Sequence, residues 1–189
     1  MIDSMAPSRT KDGATRKAKI LPLPQIVIAP EGMVTEPEYF TALGSMNSKV
    51  AINILDPLDG SDPIHILTRM RAFLKRNPLG PQDEAWIVVD QDKWTDEQFD
   101  ALRKWEGSSP RHHLVISKPR FESWLALHLL TATDRRCFNS LVTGGSKHIP
   151  QGFVNKKRVA AAIQKAKQGD FGNAYQLAER ILNATVSNT

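Results

Sequence analysis

Carboxylate side chains stand at two places where short apolar runs of this 189-residue sequence end. Glu31 follows the run at residues 25–29 on a glycine-containing turn, and Asp90 and Asp92 follow the run at residues 85–89. Carboxylate oxygens are ligands that magnesium and manganese accept far more readily than zinc does. Aspartates at positions i and i+2 of an extended segment point to the same side, where a cation offsets their repulsion. The spacing therefore predicts a site for Mg²⁺ or Mn²⁺.

Structural roles for the same three acids are an open alternative. Asp90 and Asp92 precede a predicted helix, and aspartates at helix starts often cap the backbone or interact with the helix dipole. Glu31 would equally suit an exposed loop. The metal site is favoured because both apolar runs have the composition of buried parallel strands, whose carboxyl ends meet at one edge of a sheet.

Apolar runs and helical spacings alternate along the chain up to residue 130. Four runs predict buried strands, at residues 25–29, 50–55, 85–89 and 112–117. Four amphipathic stretches between and after them predict helices, at residues 35–45, 62–77, 95–107 and 121–130. Two further helices are predicted at residues 155–167 and 173–183. This order predicts an α/β fold with a mostly parallel sheet covered by helices on both faces.

Local signals predict where several of these helices begin. Thr35 with Glu38 has the spacing of a capping box, and Thr95 with Gln98 repeats it before the third helix. Asp62 directly before a proline is a further start signal. The apolar face predicted for that second helix consists of Ile64, Leu67, Met70, Phe73 and Leu74.

Charge is distributed unevenly along this basic chain, whose net charge is +5. Residues 1–20 carry +3 and residues 141–189 carry +5, whereas residues 21–140 carry −3. An acidic centre between basic segments suits a carboxylate site whose surroundings attract phosphate. On charge alone, a solvated surface with a disordered basic tail is the simpler interpretation.

Composition predicts one domain in three segments. Residues 1–20 lack periodicity and are interpreted as a flexible basic arm, residues 21–130 as the α/β core, and residues 131–189 as a helical extension of the same domain. No apolar run approaches the roughly 20 residues of a membrane helix, and no secretory signal is recognisable. The single cysteine, Cys137, leaves no internal disulfide. We therefore expect a cytoplasmic protein that does not contact membrane.

A larger set of residues resembles the RloB-like family. The resemblance spans roughly residues 24–130, with a weaker echo at 183–186. It is carried in order by Glu31-Gly32, by Thr35-Glu36-Pro37-Glu38-Tyr39-Phe40, by Trp86-Ile87-Val88-Val89-Asp90-Gln91-Asp92, by Ser117-Lys118-Pro119-Arg120-Phe121-Glu122-Ser123-Trp124-Leu125, and by His128.

The resemblance implies a topoisomerase–primase (Toprim) type fold with a metal-dependent, nuclease-like site. Glu31 matches the Toprim glutamate, and Asp90 and Asp92 match its acidic doublet. It also implies a place in phage-defence or restriction systems, often beside an ATPase of the ABC or AAA type. Lys118 departs from the asparagine that is usual in the family, and Gln91 from a basic residue, which concerns substrate preference more than metal binding.

Further site residues are predicted around these acids. Thr35 and Glu36 begin a helix after the Glu31 turn, where backbone N–H groups can face a phosphate, although capping is an equal alternative. Lys118 and Arg120 follow the fourth strand and are candidate phosphate ligands.

The fourth predicted helix contributes two more candidates. Glu122 opens this helix and is a candidate metal ligand or the partner of a basic residue. His128 is a weaker candidate, because a packed histidine beside Trp124 is the favoured interpretation.

The sequence leaves two classes of function open. One is an Mg²⁺-dependent nuclease or nuclease subunit acting on DNA or RNA, with nucleotide hydrolysis supplied by a partner ATPase, since the sequence has no P-loop pattern. The other is a non-catalytic adaptor that binds nucleic acid or the ATPase. The basic helix beginning at Asn155 fits nucleic-acid contact, partner docking or simple solvation.

Overall fold

The computed structural model describes residues 22–56, 62–91, 94–131 and 147–185. Its strands are β1 (Gln25–Pro30), β2 (Ala51–Ile54), β3 (Glu84–Asp90) and β4 (His112–Ser117). The helices of the described residues are α1 (Thr35–Gly44), α2 (Pro63–Arg76), α3 (Asp96–Glu106), α4 (Phe121–Ala126), α5 (Lys156–Ala166) and α6 (Ala174–Asn183). The strands form one all-parallel sheet in the order β2-β1-β3-β4. The predicted α/β class is confirmed, and the arrangement is consistent with a Toprim-like fold.

Both faces of the sheet are covered, because successive strand residues point to opposite sides. Ile26 and Ile28 of β1 belong to a hydrophobic cluster with α1, α4, α5 and α6. Val27 and Ala29 belong to a second cluster with α2 and α3 on the opposite face. This double burial explains why the strands read as nearly continuous apolar runs.

Helices α2 and α3 begin as their local capping signals predict, since among the described residues no distant segment takes the capping side chain as a partner. The Asp62 carboxylate accepts hydrogen bonds from the backbone at the start of α2, and Thr95 with Gln98 forms the predicted capping box of α3. The capping box predicted at Thr35 is wrong, because its hydroxyl donates to the Lys147 carbonyl at 2.8 Å. Glu38, the other half of that predicted box, instead accepts from the backbone N–H of Ile149 at 2.7 Å.

The apolar face predicted for α2 is wrong at its first position. Ile64 is 44% exposed, and Ile66 is fully buried in its place. The helix packs through a stripe formed by Ile66, Leu67 and Met70. Within the described ranges, no helix combines the length and apolarity needed to cross a membrane.

Helix α4 ends at Ala126, four residues before its predicted end. The backbone N–H groups of residues 127–129 bond three residues back, which tightens the chain into turns. The Lys165 ammonium donates to the carbonyls of Leu127 and Leu129 at 2.9 and 3.0 Å. A cation from α5 thus satisfies carbonyls that a continuing helix would have bonded internally.

The outer edge of β4 is covered by the short segment before α6. Gly172 pairs with Ser117 in an antiparallel bridge, and the Asn173 amide bonds to the Leu114 carbonyl and the Ile116 N–H. Gly172 has a φ of +78°, and a Cβ there would lie 1.9 Å from the Ile116 carbonyl oxygen. Only glycine therefore fits this close approach to the strand.

Candidate active site

The strand order reverses between β1 and β3, the two central strands. The chain crosses from β1 to β2 on one side and then returns to place β3 on the other side of β1. In open parallel sheets, connections diverge at such a point and leave a crevice beyond the carboxyl ends of the strands. Glu31 follows β1 directly and Asp90 ends β3. The topology therefore brings these two predicted residues to the edge where ligands bind in this type of fold.

Glu31 joins the ends of the two central strands. Its Oε2 atom accepts hydrogen bonds from the backbone N–H of Asp90 at 2.9 Å and from the indole Nε1–H of Trp94 at 3.1 Å. The backbone N–H of Glu31 donates to the Val88 carbonyl at 2.9 Å. Glu31 is only 6% exposed, and these contacts restrain its side chain.

Glu36 folds back over the turn that follows β1. Its Oε1 atom accepts a hydrogen bond from the Gly32 N–H at 3.1 Å, and the residue is 7% exposed. A Cβ at position 32 would lie 1.8 Å from Glu36 Oε2. The glycine of the turn is therefore what allows this carboxylate to reach the end of β1.

Asp90 connects the sheet to α4. Its Oδ1 atom accepts a hydrogen bond from the backbone N–H of Phe121 at 2.8 Å, the first residue of α4. The next residue along that helix is Glu122, whose charge acts on both Asp90 and Glu36. The structure thus brings four acids together, and we call Glu31, Glu36, Asp90 and Glu122 the carboxylate cluster.

The carboxylate cluster is electrostatically strained. Burial, reinforced by the negative charges of Glu31, Glu36 and Glu122, raises the pKa of Asp90 from 3.8 to about 7. Burial also raises the pKa of Glu36 from 4.5 to about 7, with further contributions from Glu122 and Glu31. Carboxylates that raise one another's pKa favour either a shared proton or a bound cation.

The donor set of the carboxylate cluster fits a hard divalent cation. In the part of the chain that the structure describes, no three His, Cys, Asp or Glu side chains form a ready-made metal cage. Mg²⁺ does not require one, because it keeps several water ligands and is commonly held by one or two carboxylates. Glu31 and Asp90 could hold such an ion, with Glu36 and Glu122 close enough to act on its charge.

The three predicted phosphate ligands are close in sequence to members of the carboxylate cluster, and Thr35 and Lys118 have contacts elsewhere. Thr35 stands beside Glu36 in the sequence, and its hydroxyl donates to the Lys147 carbonyl. The Lys118 ammonium pairs with Asp170 at 2.9 Å on the exposed surface rather than turning to the cluster. Arg120 is exposed at the residue that precedes α4.

His128 lies in the hydrophobic core and not in the crevice. It is fully buried, its Nδ1 bonds to the Trp124 carbonyl at 3.1 Å, and its Nε2 bonds to the Tyr39 hydroxyl at 3.0 Å. Since a carbonyl only accepts, Nδ1 carries the proton and the tyrosine donates to Nε2. Burial lowers the pKa of His128 to about 4, so the ring is neutral at physiological pH. This matches the packed histidine that the sequence favoured over a catalytic base.

The contribution of Trp94 has no clear sequence signal, the reason for Gly32 appears only in the structure, and one predicted residue lies outside the described ranges. Asp92 lies outside the described residues and stays a prediction. Trp94 was not singled out, because nothing in its local sequence says that the indole returns to Glu31. The requirement for Gly32 follows from the position of Glu36, although a glycine beside the predicted glutamate could have suggested it.

Fold and site together define a class of protein: an α/β protein with a carboxylate cluster at the switch point of a parallel sheet. The chain matches the family described as RloB-like protein over residues 26–189, and it belongs to that family. No curated protein and no solved structure matches the chain.

Proposed function

We propose that this chain is a metal-dependent nuclease, or the nuclease subunit of a larger assembly, that hydrolyses phosphodiester bonds with Mg²⁺ or Mn²⁺. The observation that carries the proposal is the carboxylate cluster at the β1–β3 switch point, where burial and neighbouring acids raise two pKa values to about 7. The charges of Glu31, Glu36 and Glu122 all act to raise the pKa of Asp90, which supports a site that a cation would stabilise.

The carboxylates would divide the chemical work. A divalent ion held there would neutralise charge on the scissile phosphate and would lower the pKa of a coordinated water. Asp90 and Glu31 would hold this ion, together with Asp92 as the sequence predicts. Glu36 would be the candidate to take a proton from the attacking water and release it afterwards, since it lies beside Glu31 and Asp90 and its pKa without metal is raised by burial to about 7.

The setting follows from the family resemblance. We propose a role in bacterial phage defence, of the abortive-infection or restriction-linked type, in the cytoplasm and without membrane contact. An ABC- or AAA-type ATPase would act beside this chain and supply nucleotide hydrolysis. Lys118, Arg120 and Thr35 would contact the phosphate backbone of DNA or RNA, with Lys118 giving up its exposed pairing with Asp170, worth less than about 1 kcal/mol.

A first experiment measures metal binding by the melting temperature. We expect Mn²⁺ to raise the melting temperature of the wild-type chain by several degrees, because a ligand that binds only the folded state stabilises it. The double variant Asp90→Ala with Asp92→Ala should lose this rise. Glu84→Gln, an acid at the opposite end of β3, is the matched control and should keep it.

A second experiment measures cleavage of labelled DNA, plasmid and tRNA, with and without the partner ATPase. We expect cleavage that requires Mn²⁺ or Mg²⁺ and that Glu31→Ala reduces at least a hundredfold. Cleavage that survives Glu31→Ala would show that Glu31 has no catalytic role. A wild-type chain that neither responds to metal nor cleaves any substrate would favour the non-catalytic adaptor.

A further inference from the structure

Trp94 makes a polar contact that its half-buried ring does not need for packing. The ring packs against the cluster of apolar residues under α2 and α3, while its Nε1–H donates to Glu31 Oε2 at 3.1 Å. The same oxygen accepts the backbone N–H of Asp90 at 2.9 Å. Two donors on one oxygen restrain the position of the carboxylate.

The two donors also come from the two sides of one short loop. Asp90 ends β3 and Trp94 precedes α3, so a single oxygen of Glu31 ties both ends of the connection to the turn after β1. The two donor nitrogens lie within about 6 Å of one another, as their bonds to a common atom require. A packed indole is a rigid donor, since apolar contacts hold its ring.

We propose that Trp94 is a positioning residue that orients the Glu31 carboxylate toward a bound divalent cation, an inference that rests on the proposed function. Outer partners of this kind hold a ligating carboxylate in the geometry that the metal needs, and their loss typically weakens metal binding 10- to 100-fold. Trp94 acts through Glu31 and does not itself touch the reacting phosphate.

The chain offers a matched control in strand β3. Trp86 near the other end of β3 donates its Nε1–H to Glu84 Oε2 at 3.0 Å. Trp94→Phe and Trp86→Phe therefore each remove one indole-to-carboxylate hydrogen bond and keep an aromatic ring. Only the first change touches the carboxylate cluster.

The experiment measures Mn²⁺ affinity by electron paramagnetic resonance of the full chain, with Mn²⁺ alone as the probe. We expect Trp94→Phe to raise the dissociation constant 10- to 100-fold and Trp86→Phe to leave it within twofold of the wild type. In a Glu31→Ala background, Trp94→Phe should weaken binding no further, because it acts through the side chain already removed.

Nuclear magnetic resonance tests the hydrogen bond itself, first on the metal-free chain and then with Mn²⁺ added. The chain has four tryptophans, so its ¹⁵N spectrum has four indole signals that Trp→Phe variants assign. Glu31→Ala should shift the Trp94 signal and leave the Trp86 signal in place. Mn²⁺ should broaden the Trp94 signal well before the Trp86 signal.

The outcomes separate the two proposals. An unmoved Trp94 signal in Glu31→Ala, or equal Mn²⁺ affinity in Trp94→Phe and wild type, overturns the role of Trp94 and leaves the metal-dependent function standing. Equal weakening by Trp94→Phe and Trp86→Phe also overturns it, since general destabilisation would then be the cause. A wild-type chain that binds no Mn²⁺ overturns the proposed function and the role of Trp94 together.

Discussion

The acidic residues at the two ends of the sheet have different partners. At the amino end, Glu84 pairs with Arg180 at 2.7 Å and with the Trp86 indole at 3.0 Å. The neighbouring Asp83 accepts backbone N–H groups of Gln25 and Gly80, each at 2.8 Å. At the carboxyl end, the negative charges of Glu31, Glu36 and Glu122 raise the pKa of Asp90.

This difference separates acids that are paired within the fold from acids that we propose to bind a metal ion. Acids at both ends accept backbone or indole N–H groups, but Glu84 also pairs with the Arg180 cation, whereas the charge of Asp90 is opposed by neighbouring acids. Buried acids that face other acids lower the stability of the empty site, and a divalent cation returns that stability when it binds. One strand, β3, carries an acid of each kind at its two ends.

The largest expected effect comes from exchanging one acid at each end of β3 for its neutral amide. At pH 8, Asp90→Asn should abolish the Mn²⁺-induced rise in melting temperature and raise the metal-free melting temperature by about 5 °C, because it relieves repulsion. Glu84→Gln should lower the metal-free melting temperature by about 3 °C through loss of the Arg180 pair. Differential scanning calorimetry measures both variants.

The comparison is tested by the opposite changes in metal-free melting temperature expected for the two variants. A lower metal-free melting temperature in Asp90→Asn would mean that its bond to the Phe121 N–H outweighs the repulsion. The two ends of the strand would then use their acids in the same way.

The next effect concerns the glycine that lets Glu36 fold back. In Gly32→Ala the new Cβ would overlap the Glu36 carboxylate, so this side chain must leave its position and Mn²⁺ affinity should fall about tenfold. Isothermal titration calorimetry measures the affinity. Gly107→Ala is the control, since a Cβ there meets only ordinary contacts at 3.5 Å. Unchanged affinity in Gly32→Ala would remove Glu36 from the site.

The carboxylate cluster should also make the stability of the folded chain depend on pH, with a smaller effect than the substitutions above. In the unfolded chain, Glu36 and Asp90 titrate near their ordinary pKa values of 4.5 and 3.8, whereas both titrate at about 7 in the folded chain. The folded state therefore binds their protons more tightly, and this stabilisation is full below about pH 4 and lost as the pH rises through about 7.

We accordingly expect the metal-free melting temperature to fall by about 5 °C between pH 6 and pH 8.5. The double variant Glu36→Gln with Asp90→Asn should remove most of this slope. His128 acts in the opposite direction, because its pKa is about 4 in the folded chain but near its ordinary value of 6.5 in the unfolded chain, so its contribution to stability rises over the lower part of this range. A melting temperature that rises across this range in the wild type would contradict the mutual repulsion.

The smallest expected effect is on stability in Lys118→Ala. The Lys118–Asp170 pair is exposed, so its loss should change the melting temperature by less than about 2 °C. If Lys118 contacts phosphate, the same variant should weaken nucleic-acid binding. The slope of the logarithm of the binding constant against the logarithm of the salt concentration should then become shallower by about one. Fluorescence anisotropy over a series of salt concentrations measures this, and an unchanged slope would exclude the contact.

The sequence was sufficient to predict the sheet and the acids at its carboxyl edge. Strands buried on both faces are nearly uniformly apolar, and their parallel ends share one edge, so Glu31 and Asp90 could be placed together in advance. The predicted helix starts at Asp62 and Thr95 were also correct, because there the capping contacts involve only residues of the same helix.

Contacts with distant segments were beyond a local analysis. The Thr35 hydroxyl donates to Lys147, more than a hundred residues away, although its local spacing fits a capping box. The Lys165 contacts at the end of α4 and the Trp94 bond to Glu31 likewise depend on how separate elements pack. Local propensity cannot encode such partners, because they exist only once the fold has formed.

The segment that covers β4 has a consequence for the solubility of shortened chains. Gly172 and Asn173 occupy backbone groups that an exposed strand edge would offer to another molecule. Open edges of this kind promote strand-to-strand aggregation. A chain ending before residue 170 would present β4 as a bare template, so the segment before α6 helps to keep the sheet from pairing with other chains.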